Sequence, residues 1–245
     1  MQQVRRYGLS MLRIGPATFH VFDLGHFLWA RPATQDEPIP ARSRLVPGGG
    51  ASAWWMNVLV LSVLYWLQGL RAGWMGVQNL HALWQIALAI AVVLGVRSLA
   101  MKVVGRLIGL EARYRMWETG LTLSVIVAVL GGLFLPPGSH YPRTVRWSYR
   151  SELPRLGPVA FAGSLAVLVL GWLLYALYAV GGFGVTDLVH GTLERAMQAA
   201  RILLLFDVLL PFFPFGSFNG RRVLDYSRVL WVLLAAGVIA LIVSP

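Results

Sequence analysis

The chain of 245 residues contains no cysteine at all. Disulfides, thiolate metal sites and cysteine nucleophiles are therefore excluded. Lys102 is its only lysine, so almost all of its formal charge of +11 comes from arginine. Charged residues make up only 13% of the chain, about half the share of an ordinary soluble domain. Histidine is scarce, at five residues, and neither His nor Glu occurs anywhere between Ala82 and Leu110. What fills the space instead is apolar, at 57% of residues, arranged in runs close to the roughly 20 residues needed to cross a bilayer. These features define a multi-pass, all-α membrane protein.

The arginine excess reads as positive-inside topology and contact with anionic lipid at the arginine-rich loops. No basic helix or interleaved aromatic-basic motif points to nucleic acid. Residues 1–52 are mixed in composition and read as a cytosolic or interfacial arm rather than a cleavable signal. Phe19, Phe22, Phe27, Leu28 and Trp29 give the arm a contact surface. It ends in the linker PARSRLVPGGGAS, and the membrane domain occupies 53–245.

Five full spans are expected, over about 54–70, 80–100, 158–180, 202–215 and 229–243. The fourth is interrupted by Pro211 and Pro214, so its regular helix should end near Pro211. An amphipathic stretch, Thr186–Arg201, precedes it. Residues 121–135 are apolar but short, with arginines on both flanks. Those flanks fall on one side only if the segment enters the membrane and returns, so it is read as re-entrant or partly inserted. The N-terminus is then inside and the C-terminus outside.

Polar residues at membrane depth carry the most information, because they are costly there. Arg97, Ser98 and Lys102 lie towards the end of the second span, and Asp207 lies before Pro211. An unpaired arginine would cost about 2.5–3.5 kcal/mol on insertion scales, so Arg97 should pair or snorkel, and Asp207 is a candidate partner within the chain. His190 and Glu194, four apart, could be two ligands on a helix, but read better as a solvated face. Asp23 and His26 have the same spacing problem and no third ligand. The small residues around Ala160–Ala166 suit close helix packing.

Two stretches, RYRMWETGLTLSVIVAVLGGLFLPPG (Arg113–Gly138) and PFGSFNGRRVLDYSRVLW (Pro214–Trp231), resemble the archaeal branch of the site-2 protease family of intramembrane zinc metalloproteases. That family carries His-Glu-x-x-His on a helix, then Arg-x-Trp-x-x-Gly and an Ala-Pro-Gly turn. A span opening with Gly-Pro follows, then Asn-x-x-Pro and a Pro-x-x-x-Leu-Asp-Gly loop. The corresponding pieces here are Met116–Gly120, Pro136-Pro137-Gly138, Gly157-Pro158 and Pro214–Gly220, in the same order over residues 55–243. The resemblance implies a site-2 protease-like core and an archaeal plasma membrane, with an organellar inner membrane as the alternative.

The same resemblance marks what is missing. Arg97, Ser98 and Met101 stand where the family has His, Glu and His, followed by Lys102. Asn219 stands in place of the aspartate ligand, and Pro211 and Phe161 in place of two asparagines. A catalytic zinc needs three protein ligands and an open position. Arginine has no free lone pair, methionine is a soft thioether and serine is no general base. No shift of register recovers the site, since the helix lacks His and Glu altogether. The expectation is an inactive relative with no metal or other cofactor, serving as a structural or accessory subunit among other membrane subunits. A small transporter or channel component is the alternative, and a protease with substitute ligands the least favoured one. In PFGSFNGRR, Asn219 is expected to hold the loop near Arg97 and Met101, with Arg221 and Arg222 at the lipid headgroups.

Overall fold

The computed structural model describes residues 9–14, 17–22, 49–71, 80–143, 149–180, 187–210 and 218–244. The chain is mostly helical. Its elements are strands β1 (Leu9–Ile14) and β2 (Ala17–Phe22), helices α1 (Ala51–Arg71) and α2 (Leu80–Leu107), and strand β3 (Ala112–Arg115). Helix α3 (Glu118–Val129), strand β4 (Ser139–Pro142) and helices α4 (Tyr149–Val180) and α5 (Asp187–Leu204) follow. Helix α5 runs directly into a π-helical turn, Leu205–Leu209, and helices α6 (Asn219–Tyr226) and α7 (Arg228–Val243) complete the order.

Among the described residues three helices, over 51–71, 82–107 and 149–179, are long and apolar enough to cross a membrane. Two of the five expected spans, 202–215 and 229–243, are not among them. Helix α7 has 16 residues, about 24 Å, against a hydrocarbon core of about 30 Å. Helix α5 is amphipathic rather than uniformly apolar, and regular structure stops at Leu210, where the proline-bearing stretch 211–217 begins; that stretch lies outside the described residues.

The fold is turned outward in the sense a bilayer favours. Trp55, Leu59, Val63 and Leu67 recur every four residues along α1 and are all exposed. Val229, Val232, Leu233, Ile239 and Val243 are likewise exposed on α7. In water, apolar stripes of this extent would be an aggregation surface. Meanwhile Asn57, Gln68, Arg97, Asp207 and Arg222 are buried. Helices α2 and α4 approach closely because Gly163 has no side chain: a Cβ there would sit 2.6 Å from Met101 Cγ. This is the small-residue packing expected of Ala160–Ala166.

The chain is not wholly α. Strands β1 and β2 form an antiparallel hairpin with Ile14 opposite Ala17, within the arm. The rest of the arm, including Asp23, His26, Phe27, Leu28 and Trp29, lies outside the described residues. A second ribbon pairs β3 with β4, Arg115 opposite Ser139 and Ala112 opposite Pro142. This second ribbon determines the path of the short apolar segment. Everything from 116 to 138 leaves and re-enters at neighbouring positions of one ribbon, so both flanks lie at one level.

The excursion runs beside α1. At the ribbon end, Gly50 N–H donates to Tyr114 O at 2.9 Å. At the far end, Gln68 Nε2 donates to Ala128 O at 2.7 Å, and Arg71 Nη1 to Ala128 O and Val129 O at 3.0 and 2.6 Å. A cation on the last carbonyls of α3 also complements the helix dipole. Helix α3 has only 12 residues, about 18 Å, and the return through 132–138 has no regular structure.

Because the chain has no cysteine, topology can be read by single introduced thiols. Glu111→Cys and Arg143→Cys, both exposed residues flanking the ribbon, should react with an impermeant maleimide from the same face of sealed vesicles. Labelling from opposite faces would mean that 116–138 crosses outright.

Candidate functional site

Four elements meet at a buried ion pair. Arg97 comes from the middle of α2, and Asp207 from the π turn that closes α5. Arg97 is 0% and Asp207 1% exposed. Arg97 Nε donates to Asp207 Oδ2 at 3.1 Å and Nη2 to Oδ1 at 3.0 Å, a side-on bidentate pair. Two more donors complete the carboxylate. Ser164 Oγ of α4 donates to Oδ2 at 3.0 Å, and the backbone N–H of Asn219, first residue of α6, to Oδ1 at 2.9 Å.

Phe218, the residue before α6, offers no side-chain cap, so Asp207 caps that helix from another element. Contact between the two is at backbone distance. A Cβ on Gly220 would lie 2.6 Å from Asp207 O and 2.7 Å from Val208 O, so glycine is required there. The wider π turn is a departure often found where a side chain must be aimed inward.

The third donor of Arg97 points elsewhere. Nη1 donates to Gly138 O at 2.9 Å, on the turn Pro136-Pro137-Gly138. Two other buried side chains hold the same turn. Asn57 Nδ2 reaches Pro136 O at 3.3 Å and Tyr114 Oη at 2.8 Å, and Tyr114 Oη in turn donates to Pro137 O at 2.8 Å. Three consecutive carbonyls of a proline-rich stretch, which lacks two of its own N–H donors, are thus satisfied by side chains from α1, α2 and β3. Burial pushes the Tyr114 phenol well above its ordinary 10.0, so it remains a donor at any physiological pH.

Of the positions singled out in the sequence, Arg97, Met101, Asp207 and Asn219 come together. Asn219 Nδ2 lies 3.7 Å from Met101 Sδ, both residues being fully buried. Ser98 is the exception. Its Oγ is buried without a hydrogen-bond partner among the described residues. Lys102 is exposed, and Phe161 is half-buried against the apolar core. Pro211 lies outside the described residues. His190 stacks on Tyr178, ring centroids 4.4 Å apart, while Glu194 is exposed.

The donor set does not fit a zinc ion. Arg97 is a fixed cation, the Asp207 oxygens are committed to four donors, and only a thioether and a neutral amide remain. Among the described residues no group of three or more His, Asp or Glu side chains is placed to hold a metal.

Arg222 requires a correction. It was expected at the lipid headgroups, but it is 0% exposed. Its Nη1 donates to Ser139 Oγ and His140 O, both at 3.0 Å, and its guanidinium carbon lies 4.7 Å from the centre of the Tyr141 ring. The reason is helical phase: on the two-turn helix α6, Arg222 faces the β3–β4 ribbon. Arg221, one position earlier, is partly exposed and pairs with Asp225 at 2.9 Å.

Sequence reasoning missed Ser164, Asn57, Tyr114 and His140. Asn57 alone carried a signal, as an amide in the middle of an apolar run.

Comparison with known proteins gave no match to a family model, a curated protein or a solved structure.

Two predictions follow from the cluster. Asp207→Ala should cost about 3–5 kcal/mol of stability by leaving a buried guanidinium unpaired, whereas Arg97→Met with Asp207→Leu should recover most of that loss. Thermal unfolding in detergent checks both, and equal losses in the single and double variants would contradict the pairing. His140 provides the second. Burial, with Arg97, Arg222 and Lys102 adding to it, lowers its pKa from 6.5 to about 3. The folded state therefore binds a proton less readily than the unfolded chain. Its contribution is fully present above pH 6.5 and declines as pH falls towards 3. His140→Gln should flatten the stability profile between pH 6.5 and 4, as read by the same unfolding assay.

Proposed function

We propose that this chain is a catalytically inactive, site-2 protease-like membrane protein that acts as a structural or accessory subunit of a larger membrane protein complex. One observation carries the reading. The place where the resemblance expects two histidines and a glutamate holds Arg97, which is neutralised by Asp207 and tied to Gly138 O. A hydrolytic metal site must keep an open coordination position for water. Here the equivalent space is spanned by a guanidinium whose role is cohesion between α2, α4, the π turn and α6.

The remaining expectations go with this reading. The membrane domain lies in an archaeal-type plasma membrane with the N-terminus inside, and its arginine-rich loops meet anionic lipid. The partners are other membrane subunits, for which the exposed apolar faces of α1, α3 and α7 and the arm provide contact area.

The test is purification from the native membrane in mild detergent, with quantitation of co-purifying chains and of metal. The expected result is a defined set of partners at constant stoichiometry, with zinc far below one per chain. Recovery of a lone chain carrying one zinc, and cleaving a membrane-embedded peptide, would overturn the proposal.

A further inference from the structure

The cation at Arg97 has its carboxylate; among the described residues the cation at Arg222 has none. Arg222 is fully buried, and its acceptors, Ser139 Oγ and His140 O, are both neutral. Nε and Nη2 are buried with no hydrogen-bond acceptor among the described residues. These two atoms form the side-on edge of a guanidinium, the same edge by which Arg97 grips Asp207 Oδ2 and Oδ1. It matches a pair of oxygens about 2.2 Å apart on one planar anion. His140 Nδ1, on the residue that accepts from Arg222, is a second buried atom without a hydrogen-bond partner among the described residues.

Among the described residues the neighbouring charges leave this cation uncompensated. Asp207 is spent on Arg97, and Asp225 on Arg221 and the Tyr149 hydroxyl. The nearby Glu111 pairs with Arg143 on the exposed side of the ribbon. Lys102 adds a further positive charge on the ribbon side, and the field of Arg97, Arg222 and Lys102 together helps to keep His140 neutral. The Tyr141 ring face offers only a partial negative charge. Ordered water could satisfy the two N–H groups but not the charge, and a buried cation requires a counter-charge to be tolerated.

We propose that the Nε–Nη2 edge of Arg222, at the junction of α6 with strand β4, is a binding site for one small free carboxylate-type oxoanion. Lipid headgroups are disfavoured by the complete burial of Arg222. Nε and Nη2 are closed to solvent in this structure, so the anion enters only if α6 parts from the ribbon, beside Arg221 and Asp225, whose side chains are 27% and 14% exposed. Occupancy would clamp α6 to the ribbon, and through Asn219 N–H and Asp207 would steady the central cluster.

Acetate serves as the probe, with the full chain in lipid-depleted detergent micelles. Its thermal midpoint should rise saturably, by about 3–5 °C at tenfold the dissociation constant, over a chloride control of equal ionic strength. In Arg222→Met, which removes the charge and the edge together, the midpoint should not respond to acetate. Arg222→Lys keeps the charge but loses the edge, and should lose most of the response. If either variant fails to fold, equilibrium dialysis of labelled acetate against the wild-type chain should still show one site per chain. An identical acetate response in wild type and Arg222→Met, or no saturable dialysis signal, would overturn the proposal. So would stabilisation by phosphatidylglycerol with none by acetate.

Discussion

The Arg97–Asp207 pair is the constraint on which the rest of the core depends. A guanidinium in the middle of a membrane helix is tolerated only with a carboxylate and further hydrogen bonds to consume its donors. Satisfying it recruits elements far apart in sequence: α2, the π turn, Ser164 of α4, the first N–H of α6, and the 138 carbonyl. None of these could shift by a helical turn without exposing a charge to hydrocarbon. The pair is thus weak evidence for stability over an apolar alternative, but a strong determinant of which helix sits against which.

A second consequence concerns the short apolar segment. Its return path carries three backbone carbonyls, at Pro136, Pro137 and Gly138, through the buried interior. Such backbone is permitted at membrane depth only where protein satisfies it. Asn57, Tyr114 and Arg97 do so, and each of them is itself held by a second partner or a packed helix. The excursion and the ion-pair cluster therefore share a member, Arg97, and form one polar spine through an otherwise apolar body.

The contrast between the two arginines of α6 shows how local phase decides chemistry. Arg221 and Arg222 are adjacent and look equivalent as a basic pair at a helix end. On α6 they diverge by about 100°, so one reaches partly exposed Asp225 and the other the ribbon. In the sequence both read as surface residues, because nothing there marks the strand Ser139–Pro142 that packs on Arg222. That strand was itself illegible, since a four-residue ribbon in a helical chain has too little periodicity to register.

Composition by itself determined that this chain is a helical membrane protein without thiol chemistry, and that the helix over 82–110 carries no histidine or glutamate for a metal. Those conclusions rest on residue types alone, and no arrangement of the chain could alter them. The cost of an unpaired charge in lipid also marked Asp207 as a candidate partner of Arg97, with snorkelling as the other outcome. Tertiary structure decided everything that depends on which faces meet. It set the return of 116–138 onto one ribbon, the convergence of Ser164, Asn57 and Tyr114, the burial of Arg222, and the lengths that leave three helices able to span. The physical reason is that hydropathy reports the environment of a segment, whereas hydrogen-bond satisfaction inside a membrane protein is settled between segments.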